Sequence, residues 1–334
     1  MLFRSISHDD HKVLEERDYF DQEYEKIIVG SDQIWNPKYF CETYFLDFVS
    51  TTNQPTNQLG EIRPFIKWVG GKRQLLPELA KYIPENFGTY FEPFLGGGAF
   101  LLSLEPNKAV VNDFNPELAN VWRVVRDQPD ELLAKLVEHQ ANNSKDYYLD
   151  LRLTDRDGRL EQMTEVERAA RFIYMIKVGF NGLWRVNSKG QNNVPYGKYK
   201  NPKIADEVTI HRVSEYLNNA DIDILTGDFE KAVEKAQTGD FVYFDPPYIP
   251  ASDTASFTSY SSEFGYDEQV RLRDLFKTLK DRGVYVLLSN NDVPLLHELY
   301  EGIGVIETVE AHRFVAAKAS SRAKVSEVLV RSWG

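Results

Sequence analysis

Phe241-Val242-Tyr243-Phe244 is a run of aromatic and β-branched residues that stops abruptly in Asp245-Pro246-Pro247-Tyr248. A short continuous apolar run bounded by turn residues reads as a buried strand. Two prolines cannot extend it, because they lack N–H donors and restrict the backbone. The strand must end in a stiff corner that holds a carboxylate and carbonyls as acceptors. In open α/β sheets, ligands bind at that carboxyl edge. Acceptors without donors suit a substrate that presents N–H groups, such as an exocyclic amine. Tyr248 offers a planar base a ring to stack on.

The rest of the chain supplies partners for such a strand. From Arg63 onward, strand patterns at Tyr90–Phe94, Lys108–Asp113, Asp221–Leu225, Phe241–Phe244, Val284–Leu288 and Val325–Val330 alternate with helical ones. Helical periodicity dominates from Pro116 to about Val178, clearest over Glu131–His139 and Glu165–Val178. That alternation predicts a doubly wound, mostly parallel α/β sheet. The helical block and the window after it form an insertion behind the second strand. With 334 residues and 42% hydrophobic content there is ample material for a core, and no apolar run approaches a membrane span. The amino-terminal stretch has no apolar signal-like region. The single cysteine, Cys41, excludes an internal disulfide and a multi-thiolate metal site, and fits a reducing cytoplasm.

Two glycine-bearing turns precede the insertion. Glu92-Pro93-Phe94-Leu95-Gly96-Gly97-Gly98-Ala99 lies where the first strand turns into the helix Phe100–Leu104. Glycines there permit a tight turn and close approach of a nucleotide-like cofactor to the backbone. The run is neither GxGxxG nor a phosphate loop with Gly-Lys-Ser/Thr. Asp113, ending the next strand, is placed to accept hydrogen bonds from ribose hydroxyls. Phe65-Ile66-Lys67-Trp68-Val69-Gly70-Gly71-Lys72 is the second turn, with bases on either side of a tryptophan.

The net charge of −12 speaks against a nucleic-acid partner only if it is evenly spread, and it is not. Residues 1–60 carry eleven acids against five bases, half of the imbalance. Arg168 to Ala205 contains no Asp or Glu, but has Arg168, Arg171, Lys177, Arg185, Lys189, Lys198, Lys200 and Lys203 interleaved with six aromatic residues. Such a window predicts a local surface for phosphates and bases, set against the plainer reading of a solvated helix face. A second acid-free stretch, Ala311–Lys324, is either another DNA-facing loop or a solvated one. The six histidines show no metal-ligand spacing, and no metal is expected.

Taken together, these motifs resemble the Dam-type adenine-N6 DNA methyltransferases of the alpha group (class D12). The order matches: Phe65–Lys72, then Glu92–Ala99, a target-recognition insertion, then Asp245–Tyr248. Tyr147–Arg152, Phe180-Asn181-Gly182-Leu183 and Asn193-Val194-Pro195-Tyr196-Gly197 add a particular likeness to the GATC double-strand methylases of streptococcal Dpn-type restriction–modification systems. The resemblance covers some 270 residues from about Arg63. It implies an S-adenosylmethionine-dependent enzyme with a Rossmann-like catalytic domain over 58–115 and 216–334, and a helical target-recognition insertion over 116–215. It implies that Trp68, Lys72, Asp113 and Asp245 bind S-adenosylmethionine, with Phe94, Gly96 and Gly98 in its cradle and Asp228 and Phe229 beside its adenine. Asp245, Pro246 and Tyr248 become the catalytic set. Lys67, Arg185, Asn187, Lys189, Asn193 and Lys198 become DNA-facing, with duplex GATC as target and a cognate restriction endonuclease as functional counterpart. Single-stranded DNA, RNA or cytosine N4 as substrate, and a non-catalytic DNA-binding relative, stay open as alternatives. Thr51–Gln58 reads as a linker. Ile27–Pro37 and Tyr44–Val49 before it resemble a fragment of the polysaccharide pyruvyl transferase family, too short for a second activity.

Overall fold

The apolar run at 241–244 is indeed wholly buried, and a seven-stranded sheet is assembled around it. In this computed structural model, residues 62–250, 264–311 and 325–334 are described. The amino-terminal fragment, the linker and residues 312–324 lie outside them.

The strands are β1 (Tyr90–Glu92), β2 (Lys108–Asp113), β3 (Asp221–Thr226), β4 (Phe241–Phe244), β5 (Tyr285–Asn291), β6 (Val305–Ala311) and β7 (Val325–Arg331), in the spatial order β3-β2-β1-β4-β5-β7-β6. The pairs β1–β2, β2–β3, β1–β4 and β4–β5 are parallel. Strand β7 runs antiparallel to both β5 and β6, so the sheet is mostly parallel, as expected. Strand β6 was not anticipated: Val305-Ile306-Glu307-Thr308-Val309-Glu310 does not alternate cleanly between apolar and polar residues.

Among the described residues, the helices are α1 (Leu76–Leu79), α2 (Ala99–Leu104), α3 (Pro116–Asp127), α4 (Pro129–Ala141), α5 (Lys145–Leu153), α6 (Glu165–Val178), α7 (Glu207–Asn219), α8 (Phe229–Ala232), α9 (Tyr266–Asp281) and α10 (Pro294–Tyr300). Local chemistry sets their starts. The Asn115 side chain accepts from the N–H groups of Glu117 and Leu118 ahead of α3, with Pro116 in the first turn. Thr164 and Glu167 form a reciprocal capping box at α6. Helices α3 to α7 all fall between β2 and β3; α3 to α6 lie in the stretch of helical periodicity from Pro116 to about Val178, and α7 follows it.

This topology fixes where a ligand can sit. The chain builds outward from β1 through β2 to β3, then returns to β4 on the other side of β1. The order therefore reverses between β1 and β4. At such a switch point the loops after adjacent strands diverge and leave a crevice beyond the carboxyl ends. Glu92 and Phe244 end the two strands that border it.

Candidate active site

Asp245 is the first residue past β4, and its carboxylate is met by two groups. Lys72 Nζ lies 2.8 Å from Oδ1. Ser289, on β5, donates to the same oxygen at 3.2 Å, and the Tyr243 hydroxyl lies 2.9 Å from Ser289 Oγ. Lys72 also donates to the Gly70 carbonyl at 2.8 Å, and its ammonium stands 4.4 Å from the centre of the Tyr248 ring. The Tyr248 hydroxyl donates to buried Glu327 of β7 at 2.9 Å. Burial pushes the Asp245 carboxyl above the usual carboxylate range, opposed chiefly by Lys72. The chain beyond Asp245 is pinned by buried amides. Gln269 donates to the Pro247 carbonyl at 3.0 Å, Asn290 accepts from the Ile249 N–H at 2.9 Å, and Asn291 donates to the Ile249 carbonyl at 2.6 Å. The corner is held from both ends.

The facing side of the crevice belongs to the glycine turn. Asp113 Oδ2 accepts from the Gly96 N–H and Oδ1 from the Asn115 N–H, both at 2.9 Å. Burial raises this carboxyl to about 6 while those two donors oppose the rise. Glu92 Oε2 accepts from the Tyr90 hydroxyl at 2.8 Å and from the Leu101 N–H at 3.0 Å; burial pushes it up to about 8. The glycines have a more specific reason than open access for a ligand. A Cβ on Gly96 would lie 2.6 Å from the Trp68 ring, and one on Gly98 would lie 2.5 Å from Trp122. Both residues also adopt left-handed backbone, with φ of 50° and 63°. The turn is bracketed by two indoles, and Trp122 donates to the Gly96 carbonyl at 3.1 Å.

An aromatic wall continues from this turn. The Phe94 and Phe229 rings stack at 5.3 Å, with Phe264 edge-on to Phe94. Asp228 caps α8 by accepting from the Glu230 N–H at 2.9 Å. Arg271 lies over Phe229, its guanidinium 4.4 Å from the ring centre, and ion-pairs with Asp228, Glu230 and Glu268. The crevice thus combines the acidic groups of Asp113, Asp228 and Asp245 with aromatic surface, which fits a cationic ligand carrying a nucleoside.

Comparison with known proteins decides the family. Residues 68–314 match the D12 class N6 adenine-specific DNA methyltransferase family. The chain is 59% identical over 274 residues to the Type II methyltransferase M1.LlaDCHI of Lactococcus lactis subsp. cremoris, covering 82% of this chain and 96% of that protein. It is 39% identical over 292 residues to the Type II methyltransferase M.MjaIII of Methanocaldococcus jannaschii, covering 82% and 100%. It is 31% identical over 271 residues to the DNA adenine methylase of Escherichia coli K12, covering 80% and 94%. The chain belongs to the D12 class of N6 adenine-specific DNA methyltransferases. Its sheet is the α/β fold of S-adenosylmethionine-dependent methyltransferases.

In this D12 enzyme the window 168–205 divides in two. Its helical part does not form a basic surface: Arg171 is buried and paired with Asp155 at 3.2 Å, Arg168 pairs with Glu117, and burial lowers the Lys177 ammonium. On a helix that packs against its neighbours, some of the bases in any acid-free run must turn inward. The exposed bases lie beyond it, at Arg185, Lys189, Lys198, Lys200 and Lys203, the last paired with Asp206 at 2.8 Å. Arg185 to Asn193 forms a hairpin, closed by the Asn193 N–H to the Arg185 carbonyl at 3.0 Å and the Asn187 N–H to the Gln191 carbonyl at 2.9 Å. The side chains of Asn187, Gln191 and Asn193 are engaged within it. Asn187 donates to the Gln191 side chain at 3.1 Å, and Arg185 Nε donates to Asn193 Oδ1 at 2.6 Å. The hairpin base is gripped by the end of α5 and the residues after it, where Arg152 donates to the Val194 carbonyl at 2.9 Å and Asp155 accepts from the Asn192 N–H at 2.7 Å. Exposed Lys67 reaches the same region, its stem 3.3 Å from the position of a Cβ on Gly182.

Ser289, Glu327, Trp122, Arg271 and Asp155 were not picked out from sequence. Two carried a signal: Ser289-Asn290-Asn291 puts three polar residues at the end of an apolar strand, and Glu327 is an acid within Val325–Val330. The others are read only from contacts distant in sequence.

Proposed function

We propose that this enzyme methylates N6 of adenine in duplex DNA at GATC, using the Asp245–Tyr248 corner on a base extruded from the helix. One observation supports it above the rest: a half-buried carboxylate stands beside a tyrosine ring at the switch point, with both of its donors on one oxygen. The target amine lies inside the stacked duplex and must leave it before reaction. Tyr248 stacks on the extruded base, and Asp245 Oδ2 and the Pro246 carbonyl accept its two amine hydrogens. Those acceptors draw the nitrogen lone pair out of ring conjugation and fix its direction. Asp245, held above the usual carboxylate range, is suited to take the proton the amine sheds. S-adenosylmethionine supplies, when bound, a methyl group on positively charged sulfur that departs as a neutral thioether. Trp68, Lys72, Asp113 and the Phe94–Gly98 turn hold it, with Asp228 and Phe229 beside its adenine.

The helices and hairpin over 116–215 serve as target-recognition insertion to the catalytic body of 58–115 and 216–334. Arg185, Lys189, Lys198 and Lys67 hold phosphates or bases, with Asn187 and Asn193 supporting them. The likeness to GATC double-strand methylases supports the target, and the Type II names of relatives support a restriction endonuclease acting on the same sequence in the same cytoplasm. The experiment is tritiated-methyl transfer to double- and single-stranded oligonucleotides containing GATC or a scrambled site. Transfer confined to duplex GATC is expected, falling roughly 10²–10³-fold or more in Asp245→Ala. Equal transfer to a scrambled duplex removes the target assignment, and an active Asp245→Ala removes the corner from the chemistry.

A further inference from the structure

We infer that Ser289, backed by Tyr243, is a positioning residue that dedicates one oxygen of Asp245 to the protein and presents the other to the target amine. This rests on the proposed role of Asp245. Lys72 and Ser289 both address Oδ1, and among the described residues none donates to Oδ2. With Lys72 as its one partner, the carboxylate could swing about its Cβ–Cγ bond and turn its second oxygen away from the amine. With two donors converging on Oδ1, one from the turn that carries Lys72 and one from β5, any such swing strains both bonds.

The direction of the hydroxyl chain follows from counting protons. Tyr243 and Ser289 are both fully buried at 0% exposure, so each hydroxyl needs a partner. Ser289 has a single proton, and the ionised Asp245 can only accept. Ser289 therefore gives its proton to Asp245 Oδ1, and the Tyr243 hydroxyl, 2.9 Å away, donates to Ser289 Oγ. Burial drives the Tyr243 hydroxyl far above its ordinary pKa, which keeps it protonated for this purpose. The sheet register makes the chain possible: Tyr243 pairs with Leu287 and Phe244 with Leu288, which puts Asp245 level with Ser289. The chain ends at Oδ1.

Removing the Ser289 hydroxyl should act on the chemical step and on the protonation of Asp245. The groups facing that carboxylate are Lys72 from the 68–75 turn, Glu92 from β1, Tyr243 and Tyr248 from β4 and the corner, and Glu327 from β7. Of the groups that favour its ionised form, Ser289→Ala deletes one and leaves Lys72. The acid limb of the kcat–pH profile should move to higher pH. At neutral pH kcat should fall roughly ten-fold, the loss of one hydrogen bond to a charged group. KM for duplex DNA should stay within about two-fold of the parent, because the hydroxyl is fully buried between Tyr243 and Asp245. Ser289→Thr keeps the hydroxyl on a strand that tolerates β-branching and should restore kcat and the acid limb. Tyr243→Phe should move both in the same direction as Ser289→Ala, but less.

Steady-state kinetics from low to neutral pH on these variants, with Asp245→Ala in parallel, tests it. An unchanged kcat and acid limb in Ser289→Ala overturns the inference, as does a rise in KM alone. If Ser289→Ala does not fold, the Tyr243→Phe acid limb decides, and no movement there overturns it. Loss of activity in Asp245→Ala beside a normal Ser289→Ala defeats this inference and spares the corner. An active Asp245→Ala defeats both.

Discussion

The corner after β4 and the hairpin at 185–193 are both rich in polar groups, and they dispose of them in opposite ways. At the corner, a turn lysine and a β5 serine, distant in sequence, converge on one oxygen of Asp245, and buried amides hold the backbone beyond it. In the hairpin the amides of Asn187, Gln191 and Asn193 are spent on each other or on Arg185, and what reaches solvent is positive charge. The core therefore fixes the corner, while the hairpin closes on itself and presents positive charge outward. Base-edge readout by Asn187 or Asn193 requires those internal bonds to be exchanged for bonds to DNA. Phosphate contacts by the exposed Lys189, Lys198 and Lys200 need no such exchange.

The sharpest test of that contrast is to release the hairpin without touching the corner. Asp155→Ala removes the acceptor for the Asn192 N–H and leaves Arg171 buried without its partner. Uncompensated burial of that guanidinium should cost about 3–5 kcal/mol in denaturant unfolding. Adding Arg171→Met should recover much of the stability, yet KM for duplex DNA should stay raised because the hairpin base is still loose. A normal KM in the double variant would make the grip on the hairpin irrelevant to binding.

A smaller effect is expected beside the corner, in pH dependence. The ordinary Glu92 value is 4.5, and the fold raises it to about 8. Between those values the unfolded chain has released a proton that the folded chain retains, so stability falls as pH rises and levels off above about 8. Glu92→Gln keeps an oxygen to accept from Tyr90 and Leu101 but cannot ionise. Its unfolding free energy should gain on the parent across that window by on the order of a few kcal/mol. Parallel pH–stability curves would show that Glu92 ionises normally in the fold. The smallest effect belongs to the exposed charges. Lys189→Ala should weaken duplex binding modestly and lower the slope of log affinity against log salt by about one. An unchanged slope would place phosphate contacts elsewhere.

How far the sequence carries follows from the same contrast. Strand β4 and its corner were legible because apolar continuity and two prolines are local facts, and Asp113 was legible as an acid ending a strand. The partners of Asp245 were harder to read: Lys72 came from resemblance, and Ser289 becomes adjacent only through the β4–β5 register. The charge of the 168–205 window was visible, but not which of its bases a packed helix turns inward, as Arg171 shows. Strand β6 went unread because its place is set by pairing with β7 rather than by its own pattern.

Two tryptophans press against the glycine turn, one on each side of Gly96–Gly98. That arrangement gives the protein an intrinsic optical probe: anything that displaces the turn alters the surroundings of an indole, so emission from Trp68 and Trp122 should report occupancy there without a label. The same contact narrows what substitution can achieve at this spot, since even a methyl group on Gly98 must first evict a ring.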